Sequence, residues 1–430
     1  MKNNQFISIK VLTFAALLSL SVVGCSNAQD NSAAVVTSTQ AVATQAASST
    51  ASSGTTSTGD ATEGAATTGT TGTTTAADTS ALFSDRDLEQ TADLTAATRM
   101  NLVSNQDVTL SEEGVYVLSG DVENVTVVVD AAEEAKVQIV LDGVSITNDD
   151  APAIYVKAAD KVFVTSTDSD NDMEVTGTYV ADGETNLDAV IFSRADLTLN
   201  GTGSLDIISA QGNGISSKDD LKITGGVYTI KSSADALEAN DAILINDGTV
   251  TIETGKDALH SENEEDTTLG NIYIEGGTLN ITAADDAITA NNLVQIDGGT
   301  INIETAVEGI EGNNIIINDG QITVYATDDG INATPKVSDN ASIEVNGGTI
   351  KVTMGSGDTD AFDSNGNLYI NGGTIDVEAT SAFDADGTAE LNGGTVTVNG
   401  EQITEITESR GGGGGGGFRG GAGGGRGTGQ

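Results

Sequence analysis

The sequence predicts an all-β protein, a single-stranded right-handed parallel β-helix with coils of about 22 residues. Three observations predict it. First, a glycine turn recurs with its last Gly at Gly226, Gly248, Gly277, Gly299, Gly320, Gly348, Gly373 and Gly394. Second, an acid-small-apolar triplet recurs from Asp235, Asp257, Asp286, Glu308, Asp329 and Asp360, with variants at Asp188, Asn213 and Ser381. Most steps between these landmarks are 21 to 22 residues, and the rest are 25 to 31, where loops have been inserted. Third, the apolar alternation has a period of two, as in Val294/Ile296, Ile301/Ile303 and Ile350/Val352, which marks strands. Each unit is too small to bury its own apolar face, so neighbouring units must stack. No 10 to 12 residue helical pattern interrupts the repeats, which excludes a leucine-rich horseshoe or a βαβ array.

Residues 1–24 stand apart from the fold. Lys2 and Lys10 precede an apolar run, Val11 to Val23, too short to span a membrane and stay there. It ends in Gly24-Cys25, which resembles a bacterial lipoprotein signal whose cysteine carries the lipid. As the sole cysteine, Cys25 can form no intramolecular disulfide. Residues 25–80 are almost all Ser, Thr, Ala and Gly, a composition for a flexible tether. Within Ala81 to Leu102, the stretch Asp85 to Glu89 is expected to form a short helix capping the first coil. Strands follow at Val115 to Leu118, Val125 to Val129 and Val137 to Ile146, with loop insertions expected at Asp168 to Asp172 and Ala181 to Asn186. The solenoid is assigned to residues 81–408, and residues 409–430 form a Gly/Arg tail that is disordered by composition. Aromatics are 3% of the chain and Trp is absent, enough for the thin aliphatic layers of a β-helix. Glycine is needed where coils turn with positive φ or approach closely.

The net charge is −47, from 64 acids against 17 Lys and Arg, which leaves no basic stripe for nucleic acid. If each repeat is one coil, Asp188, Asn213, Asp235, Asp257, Asp286, Glu308, Asp329 and Asp360 form a column at roughly 4.8 Å spacing. Two carboxylates at that distance repel by roughly 0.9 kcal/mol at water's dielectric and about 3.5 kcal/mol at an effective value of 20. A hard cation with loose oxygen coordination relieves this, so Ca²⁺ is expected before Mg²⁺. The candidate metal ligands are Asp235, Asp257, Asp285, Asp286, Glu308, Asp328, Asp329, Asp358 and Asp360. Zinc is not expected, because His260 is the sole histidine, read as an exposed loop residue, and Cys25 is committed to lipid. A companion column at Asn240, Glu262, Asn291, Asn313, Asn365 and Asp386 reads as a turn ladder of side chains bonding local backbone.

The strands Val115 to Gly120 and Val137 to Ile146, the stretch Asn213 to Gly226, the repeated Asp-Ala/Gly-Ile corners and the Gly/Arg tail carry a family resemblance. The chain resembles the calcium-binding, carbohydrate-binding β-helix family of bacterial surface proteins described from cellulolytic clostridia, over roughly Val103 to Val398. The resemblance implies non-catalytic, calcium-dependent binding of polysaccharide, most readily an acidic one such as polygalacturonate, by a monomer lipid-anchored at the cell surface. Asn213 and Ser381 depart from the family pattern by replacing the corner acid, so their coils are expected to lack a metal. Two other readings stay open. One is an adhesin or stalk whose coils are stapled by metal. The other is a polysaccharide lyase, for which Arg194, the only arginine within the solenoid repeats, is the candidate base.

Overall fold

The computed structural model describes residues 76–77, 79, 82–357 and 359–407, all within one compact unit, Thr71–Gln430. Cys25 with its signal, most of the tether, Asp358 and the Gly/Arg tail lie outside the described residues. The fold is all-β, a parallel β-solenoid of about 12 turns. One coil shows how the sequence builds it. The strand Ile288–Ile296 bends at Asn291 and Asn292, so its first three residues lie on one face and its last four on the next. After the glycine turn, Thr300–Ala306 makes the third face, and Glu308 opens the following coil. Strands pair in parallel with the same face one coil on. The exception is Thr395–Val398, against which Glu401–Ile403 doubles back antiparallel.

Alternation places every second side chain inside, where equivalent residues stack. On the face after the corner acid, Ile288, Ile310, Ile331, Phe362 and Phe383 form one continuous buried column. The two phenylalanines stack with ring centroids 5.5 Å apart. Burying such side chains contributes about 1.5–3 kcal/mol each, which lets aliphatic layers hold a core almost without aromatics. All eight landmark glycines have positive φ; Gly299, at +89°, is typical. Its neighbour Gly298 is required for another reason, since a Cβ there would stand 2.5 Å from the Glu275 carbonyl oxygen of the preceding coil.

Two expectations about the elements are corrected. Asp170–Val175 is a strand, not a loop, because it pairs with Ser145–Asn148 and with Ser204–Ser209. The lead-in is not a helical cap. Residues 82–97 run as turns and bends, forming a strap across the outer surface of one sheet. The strap's polar groups find partners on the sheet. Asp87 reaches Lys161 Nζ at 2.6 Å and accepts from the Thr198 hydroxyl at 2.7 Å. Gln90 Nε2 donates to the Thr224 carbonyl, and Lys222 Nζ donates to the Leu82 carbonyl. Further along, Ala77 and Gln295 exchange two hydrogen bonds, and the Arg86 guanidinium lies 4.4 Å from the Phe163 ring centre.

Candidate functional acid columns

The corner acids stack as the periodicity predicts, and a hydrogen-bond ladder orients them. The Asp257 N–H donates to Asp235 Oδ1 at 3.2 Å, Asp286 N–H to Asp257 Oδ1 at 3.0 Å, and Glu308 N–H to Asp286 Oδ1 at 3.0 Å. Asp360 N–H donates to Asp329 Oδ1 at 3.0 Å. Asn213 makes the same bond through its amide oxygen, to Asp235 N–H. The ladder therefore needs an oxygen acceptor and not a charge, and one oxygen of each aspartate in these bonds remains outside it.

A second column runs beside the first, three residues after each corner acid. Its register is Ser216, Glu238, His260, Thr289, Glu311, Asn332, Asp363 and Asp384. Sequence reasoning missed it, although the apolar residue two after the corner faces inward and its neighbour must then face out. His260 is thus corrected. It lies in the strand Leu259–Ser261, half-buried, with Nδ1 3.2 Å from Asp235 Oδ2 and 3.7 Å from Asp257 Oδ2. Glu262 Oε2 stands 3.6 Å from its Nε2.

Together the columns bring ligand atoms within 4.8 Å of one another in three groups: Asp235, Asp257 and His260; Asp257, Asp285 and Asp286; and Asp286, Glu308 and Glu311. Among the described residues, Asp328, Asp329 and Asp360 do not join a third ligand atom in such a group. The companion column serves the backbone where it is best seen: Asn313 Oδ1 accepts from the N–H groups of Lys336, Val337 and Ser338, fixing a loop. That loop puts Lys336 Nζ on Glu311. Lys218 pairs similarly with Glu238 at 3.1 Å.

Electrostatics distinguish the coils. Burial tends to raise Asp235, but His260 and Lys256 outweigh it and hold the carboxyl below its usual range. Burial pushes Asp286 up to about 7, with Asp257, Glu311 and Asp285 adding repulsion. Glu308 is pushed up to about 8 by burial, then by Glu311 and Asp286. Asp363 rises to about 7 by burial and the charges of Asp329, Asp360, Asp384 and Asp386. Oxygen donors that crowd one another and lack a full complement of internal cations suit a hard divalent ion, which needs several oxygens at about 2.3–2.6 Å. The chemistry of the Asp286, Glu308 and Glu311 set fits Ca²⁺ in this sense. Arg194, the candidate lyase base, is exposed on the turn after Ala189–Ser193.

A cavity of about 580 Å³ opens beside the second column, lined in part by Lys218, Glu238, His260 and Glu262. Aromatic stacking faces are scarce, for Tyr228, Phe362 and Phe383 are buried and Tyr325 is exposed on a different face.

A solenoid with continuous polar columns on one face is the class of protein that fold and site define. The chain belongs to the carbohydrate-binding domain-containing protein family, whose model matches residues 104–361. A carbohydrate-binding domain-containing protein of Acetivibrio thermocellus is 36% identical over 127 residues, 29% of this chain. The match spans 44% of the length of that curated relative. A solved structure described as the polysaccharide lyase-like protein from C. thermocellum, a gadolinium derivative, is 31% identical with a TM-score of 0.43. It is covered to 94% and covers 48% of this chain.

Proposed function

We propose that this protein is a non-catalytic, calcium-dependent binder of acidic polysaccharide of the polygalacturonate type, lipid-anchored through Cys25 at a bacterial cell surface. The observation that carries the reading is the Asp286, Glu308 and Glu311 group, whose ligand atoms lie within 4.8 Å of one another. Burial and mutual repulsion push the first two up to about 7 and about 8. A divalent cation there neutralises the protein's carboxylates, and its open coordination positions accept oxygens of a uronate chain. Bridging of this kind is what a protein of charge −47 needs in order to hold a polyanion.

Retention on immobilised polygalacturonate, with calcium and with chelator, tests this. Retention that calcium supports and chelator abolishes is expected. Equal retention under both conditions contradicts the bridge.

The ladder supports a second reading, an adhesin or stalk. The corner carboxylates already join coil to coil through backbone N–H groups, so a cation among them would staple the solenoid. Calcium that raises the melting temperature without any retention favours that reading.

A further inference from the structure

The sole histidine of the chain stands where the two columns converge, and its surroundings differ from the rest of the acid face. Elsewhere the converging groups offer oxygen alone. Here one nitrogen joins two carboxylates, with ligand separations of 3.2 and 3.7 Å. Donors about 2.1 Å from a common metal lie roughly 3.0–3.5 Å apart in octahedral or tetrahedral arrangements, close to these separations.

The donors are also pre-oriented. Oδ1 of Asp235 and of Asp257 is held by the backbone ladder, while Oδ2 of each is the atom nearest His260 Nδ1. On the ring's other side the Glu262 carboxylate, 3.6 Å from Nε2, favours a proton on that nitrogen. Without a metal Nδ1 is hydrogen-bonded to Asp235 Oδ2. A metal between Nδ1 and the two aspartates would take the place of that proton, with Glu262 then holding the Nε2 proton, and a carboxylate behind a ligating histidine is a recurrent feature of metal centres. A lysine ammonium also approaches: Lys256 Nζ lies 3.5 Å from Asp235 Oδ1, on an exposed side chain bound to the oxygen turned away from the ring.

We propose that Asp235, Asp257 and His260 form a separate site for a borderline divalent transition metal, of which Zn²⁺ is the type. The imidazole nitrogen selects for such an ion over Ca²⁺, because Ca²⁺ takes oxygen ligands whereas zinc and its neighbours take nitrogen readily. The site departs from the expectation against zinc, which rested on a single histidine and a cysteine committed to lipid. It also divides the acid face by chemistry, with a nitrogen-containing site at one coil and oxygen-only groups in the coils that follow. The inference shares no residue with the Asp286, Glu308 and Glu311 group and is independent of what that group holds.

Equilibrium dialysis of the full chain against Zn²⁺ in a large excess of Ca²⁺ tests it, with Co²⁺ absorbance as a second readout of the ligand set. The expected result is one equivalent of Zn²⁺ retained against calcium and a Co²⁺ band reporting nitrogen and oxygen ligands. H260Q is expected to weaken Zn²⁺ at least tenfold while leaving calcium uptake unchanged, and D257N, which keeps an oxygen for the ladder, to weaken Zn²⁺ likewise. Zn²⁺ fully displaced by calcium overturns the proposal, as does H260Q binding Zn²⁺ as tightly as the parent. Loss of calcium uptake in the parent protein bears on the polysaccharide reading alone.

Discussion

A buried and a half-buried carboxylate in this chain meet opposite treatment. Beneath the strap, burial raises Asp87, but hydrogen bonds from Lys161, Ser84 and Thr198 outweigh it and hold the carboxyl at about 2. On the acid face, burial and the neighbours Glu311 and Asp286 push Glu308 up to about 8. The first carboxylate is fully partnered by the protein. The second stands in a column that shares too few internal cations. That difference makes the crowded row the candidate cation site and the satisfied acid an architectural clamp.

Breaking the clamp gives the largest expected effect. Lys161→Ala leaves Asp87 buried without its ammonium, a loss of about 3–5 kcal/mol for a buried pair. Urea unfolding measures it, and hydrogen exchange should show the protection of residues 82–90 lost first. If stability and exchange are both unchanged, the strap is not clamped by this pair.

The pH dependence sharpens the same contrast. Asp87 has a folded pKa below its unfolded value of 3.8, so its contribution is present above about 3.8 and is lost as pH falls towards about 2. Asp286 and Glu308 have folded values above their unfolded 3.8 and 4.5, so the folded state binds more protons between those values and about 7 to 8. Calcium-free stability should therefore fall as pH rises from about 4 to 8, and added calcium should remove that decline. Thermal melts from about pH 2 to about pH 8, with and without calcium, follow both limbs.

A smaller effect separates ladder from charge. Asp286→Asn keeps an oxygen for the Glu308 N–H, as Asn213 does for Asp235, and removes one crowded charge. Calcium-free stability should hold or rise by about 1 kcal/mol at pH 7. Asp286→Ala removes the acceptor as well, and the unpaired N–H should offset that gain by about 1–3 kcal/mol. A denaturant series on the two variants makes the comparison.

The repeat was legible because the coils from Asp188 onward restate it. The glycine turns, the inward columns and the stacked corner acids all follow from period and alternation. The column through Glu238, His260 and Glu311 followed from the same alternation, but its residue types vary from coil to coil, so no recurring letter drew attention to it. His260 was read from its acidic sequence neighbours, whereas its partner Asp235 lies one coil back, 25 residues away. The strap was not legible at all. Its contacts join Asp87 to Thr198 and Gln90 to Thr224, residues 111 and 134 positions apart, and such contacts leave no periodic trace.

The most direct test is a calcium titration of the full chain beside Asp286→Asn at pH 7, followed calorimetrically. The account predicts calcium uptake by the parent protein and at least a tenfold weaker affinity in the variant, with the fold retained. Equal uptake by both, or none by the parent, would contradict the claim that the crowded acids are a cation site.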